Sequence, residues 1–170
     1  IITPNLTFST TVAPIYQLGL VPHFVGVEEN KFVTDPSHIE KCINKKTVAL
    51  MIPNLLGNIA DWKSINTIAK KHNLKVIEDS ADTIGYTINK KKSGKYSDIV
   101  TNSFYASHII NGAGTGGIAA LMIINYIKEQ NYLEDGEDLL LHLMNLKVLI
   151  KDLILKFRVL IMMQNMCFQI

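Results

Sequence analysis

Cysteine is nearly absent: the chain holds two, Cys42 and Cys167, far apart and in no paired spacing. Such usage excludes a disulfide framework and a structural zinc site, and it points to a cytoplasmic compartment. Charge of one sign is lacking as well, since 17 Lys and Arg face 15 Asp and Glu for a net charge of +2. The lysines are dispersed except for Lys90-Lys91-Lys92. That run has no interleaved aromatics and reads as a solvated hairpin turn after Thr87-Ile88-Asn89, so nucleic acid is not an expected partner. No uninterrupted apolar run of about 18 residues occurs, which speaks against a membrane span. An initiator methionine and a signal-type leader are both missing around Ile1-Ile2-Thr3-Pro4, so the chain is expected to be a fragment from the middle of a longer protein.

What is present suffices for a real core: 170 residues, 48% of them apolar. Ile1 to Pro4 reads as the end of a strand. Thr7 to Leu18 reads as a helix with apolar Val12, Ile15 and Leu18 and a stop at Gly19. Val21 to Val27 reads as a short buried strand, and Asp35-Pro36 opens a helix through Ile39 and Cys42, with the proline where its missing N–H is harmless. Val48 to Ile52 is an apolar strand closed by Pro53. Asn54 to Asn58 is a loop, and Asp61 caps a helix whose Ile65, Ile68 and Ala69 share a face. Leu74 to Ile77 is the next strand, with Asp79 in the loop that follows. Short apolar strands alternating with helices predict an α/β fold, a three-layer architecture around a mostly parallel sheet.

The most informative stretch runs from Ser103 to Gly117. It follows the apolar pair Ile99-Val100, carries glycines at 112, 114, 116 and 117, and ends before another apolar run, Ile118 to Leu121. Dense glycine lets a backbone take φ > 0 or approach a bound group closely. Ser103, Tyr105, Ser107 and His108 place polar groups in the same loop. Upstream, Val76-Ile77-Glu78-Asp79 sets a carboxylate at the end of an apolar strand, the edge of an open α/β sheet where ligands bind. Together the two segments predict a small-molecule site.

In order and spacing, three segments resemble the DegT-type sugar aminotransferases that depend on pyridoxal phosphate: Val76-Ile77-Glu78-Asp79-Ser80-Ala81-Asp82, Gly94-Lys95-Tyr96-Ser97-Asp98-Ile99 and Ser103-Phe104-Tyr105. The likeness covers residues 1 to about 120 and implies part of the large cofactor-binding domain of an aspartate aminotransferase-like fold. Most members carry the Schiff-base lysine five residues after the serine of Ser-Phe-Tyr, where this chain has His108. That exchange resembles the branch of nucleotide-sugar 3-dehydrases. By this resemblance Asp79 holds the pyridine nitrogen protonated, Ser103 donates to the phosphate, Phe8 stacks on the ring and Asp82 lies near the ring oxygen.

His108 would be the base, an imidazole being suited to proton transfer near neutral pH. The implied cofactor is pyridoxamine 5'-phosphate or pyridoxal 5'-phosphate, held without a covalent tether. The implied substrate is a nucleotide-linked 4-keto sugar that loses its 3-hydroxyl in deoxysugar or lipopolysaccharide biosynthesis. No metal is implied, and the working assembly would be a homodimer. Asn111-Gly112-Ala113-Gly114-Thr115 departs from the family's Thr-x-Gly-Glu pattern, and Gly114, Gly116 and Gly117 are read as serving loop geometry. The family's Gly-Thr-Ser phosphate loop would precede Ile1, and its smaller domain would follow the tail.

Residues 122–170 differ in character from residues 1–121: leucine, isoleucine and methionine crowd Leu139 to Met166 without a clean helical period. Back-translated and read one nucleotide out of register, Leu133 to Asp138 can yield Arg-Gly-Trp-Gly-Arg, and Met122 to Lys128 and Ile161 to Phe168 also give family-like segments at the same offset. The expectation is a slip of the reading frame near Leu121, leaving a tail that is not a native domain. Two alternatives stand beside the dehydrase. One is an aminotransferase with a displaced lysine; the other is a noncatalytic α/β module whose leucine-rich tail binds a partner.

Overall fold

The computed structural model describes residues 1–113 and 116–121; the frame-slip and partner-binding readings of the tail, Cys167 and the role of Gly114 lie outside the described residues. Residues Ile1–Leu121 form one compact unit. Its elements alternate: β1 (Ile2–Pro4), α1 (Ser9–Gln17), β2 (His23–Val25), α2 (Pro36–Cys42), β3 (Ala49–Pro53), α3 (Trp62–Lys71) and β4 (Lys75–Asp79). A small hairpin, β5 (Thr87–Ile88) and β6 (Lys91–Lys92), precedes β7 (Ile99–Ser103) and β8 (Gly117–Leu121).

Six strands make one sheet in the order β2-β1-β3-β4-β7-β8, parallel throughout except for the antiparallel pair β7 and β8. The path from β1 to β2 runs one way along the sheet and the path from β3 to β4 the other. Right-handed crossovers running in opposite directions place their helices on opposite faces. In keeping with this, α2 touches α3, and Trp62, Ile65, Ile68 and Ala69 of α3 share a core with Leu50, Ile52 and Val76. On the other face, the first turns of α1 reach the end of β4 through Thr11. Between β1 and β3 the direction of winding reverses, and the carboxyl ends of strands beside such a point are where open α/β sheets hold ligands.

The helix starts follow from their caps. The Asp35 carboxylate accepts from Ser37 N–H at 2.8 Å, with Pro36 in the first turn, and that of Asp61 accepts from Ser64 N–H at 3.1 Å. The lysine run falls on an exposed hairpin whose two turn residues, Asn89 and Lys90, have φ of 50° and 62°, the backbone twist that joins tightly paired strands.

Three expectations need correction. The segment from Val21 to Val27 is not a buried strand; only His23–Val25 is extended, at the sheet's edge beside β1 alone, and only Val25 is buried. Helix α1 buries Thr11, Pro14 and Ile15, whereas Val12 and Leu18 are half-buried. Asp79 is the last residue of β4 and not part of a loop, paired in register with Pro53 and Thr101. Among the described residues, no helix is long and apolar enough to cross a membrane, and no group of three or more His, Cys, Asp or Glu could hold a metal ion.

Candidate active site

Parallel pairing brings the ends of β3, β4 and β7 to one rim. Side chains alternate along a strand, so Asp79, Thr101 and Ser103 fall on the α1 face while Glu78 falls on the α3 face. Asp79 is buried. Its Oδ2 accepts from the Thr11 hydroxyl at 2.8 Å and its Oδ1 from Ala81 N–H at 3.1 Å. Burial pushes the Asp79 carboxyl above its ordinary value, against the pull of those two donors. Nearby, Asp82 adds to the rise and His108 opposes it.

Asp82 sits in the turn after β4. One oxygen accepts from Leu56 N–H at 2.8 Å, and the other lies 3.8 Å from Nε2 of His108. His108 belongs to the loop after β7. That loop is closed by Phe104 N–H donating to the Gly116 carbonyl and Gly112 N–H donating to that of Phe104, both at 2.8 Å, and His108 N–H donates to the Tyr105 carbonyl at 2.9 Å. The imidazole meets the Tyr105 ring edge-on, with centroids 6.2 Å apart. Its Nδ1 is buried and has no hydrogen-bond partner among the described residues. Ser103 ends β7, and its hydroxyl accepts from Tyr105 N–H at 3.2 Å. Phe8 stands just before α1 with 57% of its surface exposed, one helical turn ahead of Thr11.

The structure therefore brings Asp79, Asp82 and His108 together, with Ser103 on the same face of the sheet and Phe8 at the start of the helix that contacts Asp79. Among the described residues, a buried acceptor with two donors, beside a polar nitrogen without a partner, has room for a further N–H donor such as a protonated ring nitrogen. On these grounds the residues fit a pyridoxal-type cofactor. The sequence profile of the DegT/DnrJ/EryC1/StrS aminotransferase family matches residues 1–123. The chain belongs to that family.

Within the DegT/DnrJ/EryC1/StrS family, enzymes dependent on pyridoxal phosphate, it is 37% identical over 134 residues to dTDP-4-dehydro-2,6-dideoxy-D-glucose 3-dehydratase of Saccharopolyspora spinosa, covering 76% of this chain and 29% of that protein. It is 41% identical over 117 residues to the lipopolysaccharide biosynthesis protein RfbH of Salmonella typhimurium, covering 69% and 26%. Among solved structures, NtdA of Bacillus subtilis with bound cofactor PMP is 35% identical with a TM-score of 0.66, covering 71% of this chain and 27% of that one. The chain thus spans less than a third of the length of these proteins, and the aspartate aminotransferase-like fold expected from the motifs is the fold of these neighbours.

Two contributors to the rim, Thr11 and Leu56, did not come out of the sequence. For Thr11 a signal existed: it lies one turn after Phe8 and one turn before Ile15, a polar residue in line with an apolar one. Leu56 contributes only its backbone N–H, which no side-chain pattern reveals.

Proposed function

We propose that the protein carrying this chain is a nucleotide-sugar enzyme that works with pyridoxamine or pyridoxal phosphate. It removes the 3-hydroxyl of a 4-keto-6-deoxyhexose nucleotide, in deoxysugar or lipopolysaccharide O-antigen biosynthesis. The observation that supports this most is the grouping of buried, donor-poor Asp79 with a histidine, not a lysine, five residues after Ser103. Asp79 would hold the pyridine nitrogen, Ser103 the phosphate and Phe8 the ring face, with Asp82 near the ring oxygen.

When bound, such a cofactor supplies an electron sink for a carbanion beside its ring. The side chains of this chain do the rest. A carboxylate in a poorly solvated site interacts strongly with a positive partner, so the burial that raises Asp79 also makes it a strong counter-charge for a protonated heterocycle. His108 accepts a proton through an imidazole nitrogen and can return it. Unlike a lysine amine, it does not form an imine with an aldehyde, so the cofactor would be held by noncovalent contacts. A second subunit of a homodimer would complete the site.

The test is incubation of the protein with pyridoxamine phosphate and a 4-keto-6-deoxyhexose nucleotide, followed by mass spectrometry of the sugar. A sugar lighter by one oxygen atom, its 3-hydroxyl replaced by hydrogen, with pyridoxamine phosphate converted to pyridoxal phosphate and ammonia released, supports dehydration. An amino sugar instead, or a stable pyridoxal–lysine adduct after borohydride reduction, identifies an aminotransferase and ends the case for His108 as base.

A further inference from the structure

We infer that Asp82 is a positioning residue: its carboxylate fixes His108 in the tautomer with hydrogen on Nε2, which leaves the Nδ1 lone pair as the proton acceptor. The inference rests on the reading of His108 as the base and specifies which of its atoms acts and what holds it.

The two oxygens of Asp82 face different partners. Oδ2 accepts the Leu56 N–H at 2.8 Å. Leu56 has φ 55° and ψ 29°, a left-handed conformation that a leucine adopts only when something holds it. Its side chain is 73% exposed, so packing is not what holds it. The bond from a fixed backbone to Asp82 anchors the carboxylate from behind and aims Oδ1 at Nε2 of His108, 3.8 Å away. Both side chains are partly shielded, 32% and 23% exposed, so water screens this pair less than one on the open surface.

The tautomer follows from the two nitrogens together. With hydrogen on Nδ1, a buried donor would have no acceptor among the described residues, and the Nε2 lone pair would face a carboxylate oxygen. Both are unfavourable. With hydrogen on Nε2, the donor lies on the side of the Asp82 carboxylate, 3.8 Å from Oδ1, and only an acceptor is left unpaired at Nδ1, the milder of the two omissions. A proton taken up at Nδ1 creates an imidazolium whose far side already meets Asp82. The other groups facing this pair are the Asp79 carboxyl and the edge of the Tyr105 ring.

The experiment uses the protein labelled with 15N-histidine and free of cofactor, and reads the ring-nitrogen shifts of His108 by NMR. The wild type is expected to show Nε2–H. In Asp82→Asn the amide oxygen still accepts from Leu56 while the NH2 group turns to Nε2, so the signal should invert to Nδ1–H, and kcat for dehydration should fall about tenfold or more with KM little changed. A wild type with Nδ1–H, or an Asp82→Asn protein that keeps Nε2–H, overturns the inference. If Asp82→Asn does not fold, the wild-type tautomer decides alone. An inverted tautomer in a protein that dehydrates no keto sugar supports the pairing and refutes only the dehydrase reading.

Discussion

Glu78 and Asp79 are neighbours on one strand and point to opposite faces of the sheet. Glu78 is fully buried and surrounded by donors: the hydroxyls of Ser80 at 2.7 Å, Tyr86 at 2.5 Å and Ser97 at 2.7 Å, the Gly94 N–H at 3.2 Å and the Asn54 amide at 3.4 Å. Its donors come from four segments, and the Tyr86 phenol is itself pushed up, first by burial and then by its bond to Glu78. Gly94 is tied to the same arrangement. A Cβ there would come within 2.6 Å of Val100, and its φ of +80° suits glycine. Asp79 is also buried but has, among the described residues, two donors, from Thr11 and Ala81. A carboxylate saturated by its own chain is structural. One held short of saturation, at a sheet's carboxyl edge, has capacity for something else.

The largest effect should come from emptying the saturated position. Glu78→Ala leaves several buried donors without an acceptor and is expected to destabilise the fold by about 3 to 5 kcal/mol, read as the loss of urea midpoint at constant slope. A loss under about 1 kcal/mol would mean the donors find water and the contrast with Asp79 is false.

Asp79→Asn should do the opposite: little change in fold, but about a 10- to 100-fold loss of pyridoxamine phosphate affinity by calorimetry, the worth of a charge-assisted bond. The same variant sharpens the comparison through pH. Because burial raises the Asp79 carboxyl above its ordinary value of 3.8, the folded chain keeps that proton to higher pH than the unfolded one. Its contribution to stability is therefore full below the ordinary value and is lost as pH rises through the raised one. In the cofactor-free protein, Asp79→Asn should gain on the wild type as pH rises from about 3 towards neutrality; denaturation curves giving a constant difference would show that Asp79 is not raised. The smallest effect is expected from Thr11→Val. Removing one of two donors should lower stability by about 1 kcal/mol and move the Asp79 carboxyl further up, seen in a carbon-13 titration of its side chain.

Much of this was legible in order along the chain because the controlling interactions are local. Asp35 and Asp61 cap helices through bonds to residues two and three positions on, and β3 and β4 declare themselves by apolar runs. The placement of Asp79, Ser103 and His108 near one rim followed from strand ends alone. What stayed hidden depends on partners distant in sequence. Val21 to Val27 has the composition of a buried strand, but composition does not say which strand ends up at the edge. The Leu56 N–H meets Asp82 across 26 residues of sequence, and the five donors of Glu78 converge only once the sheet, the hairpin and the loop after β3 are assembled.

The bond from Thr11 to Asp79 joins residues 68 apart in sequence. Closing a flexible loop of that length costs about 4 kcal/mol beyond a constant, against a net return of about 1 kcal/mol for one hydrogen bond. The contact cannot draw the two segments together; it forms because β1, β3 and β4 have already aligned. By the same arithmetic it can be released without disturbing the strands, so the rim can come apart at α1 while the sheet stays whole. If this rim holds the proposed cofactor, its entry would require only a local opening of the molecule.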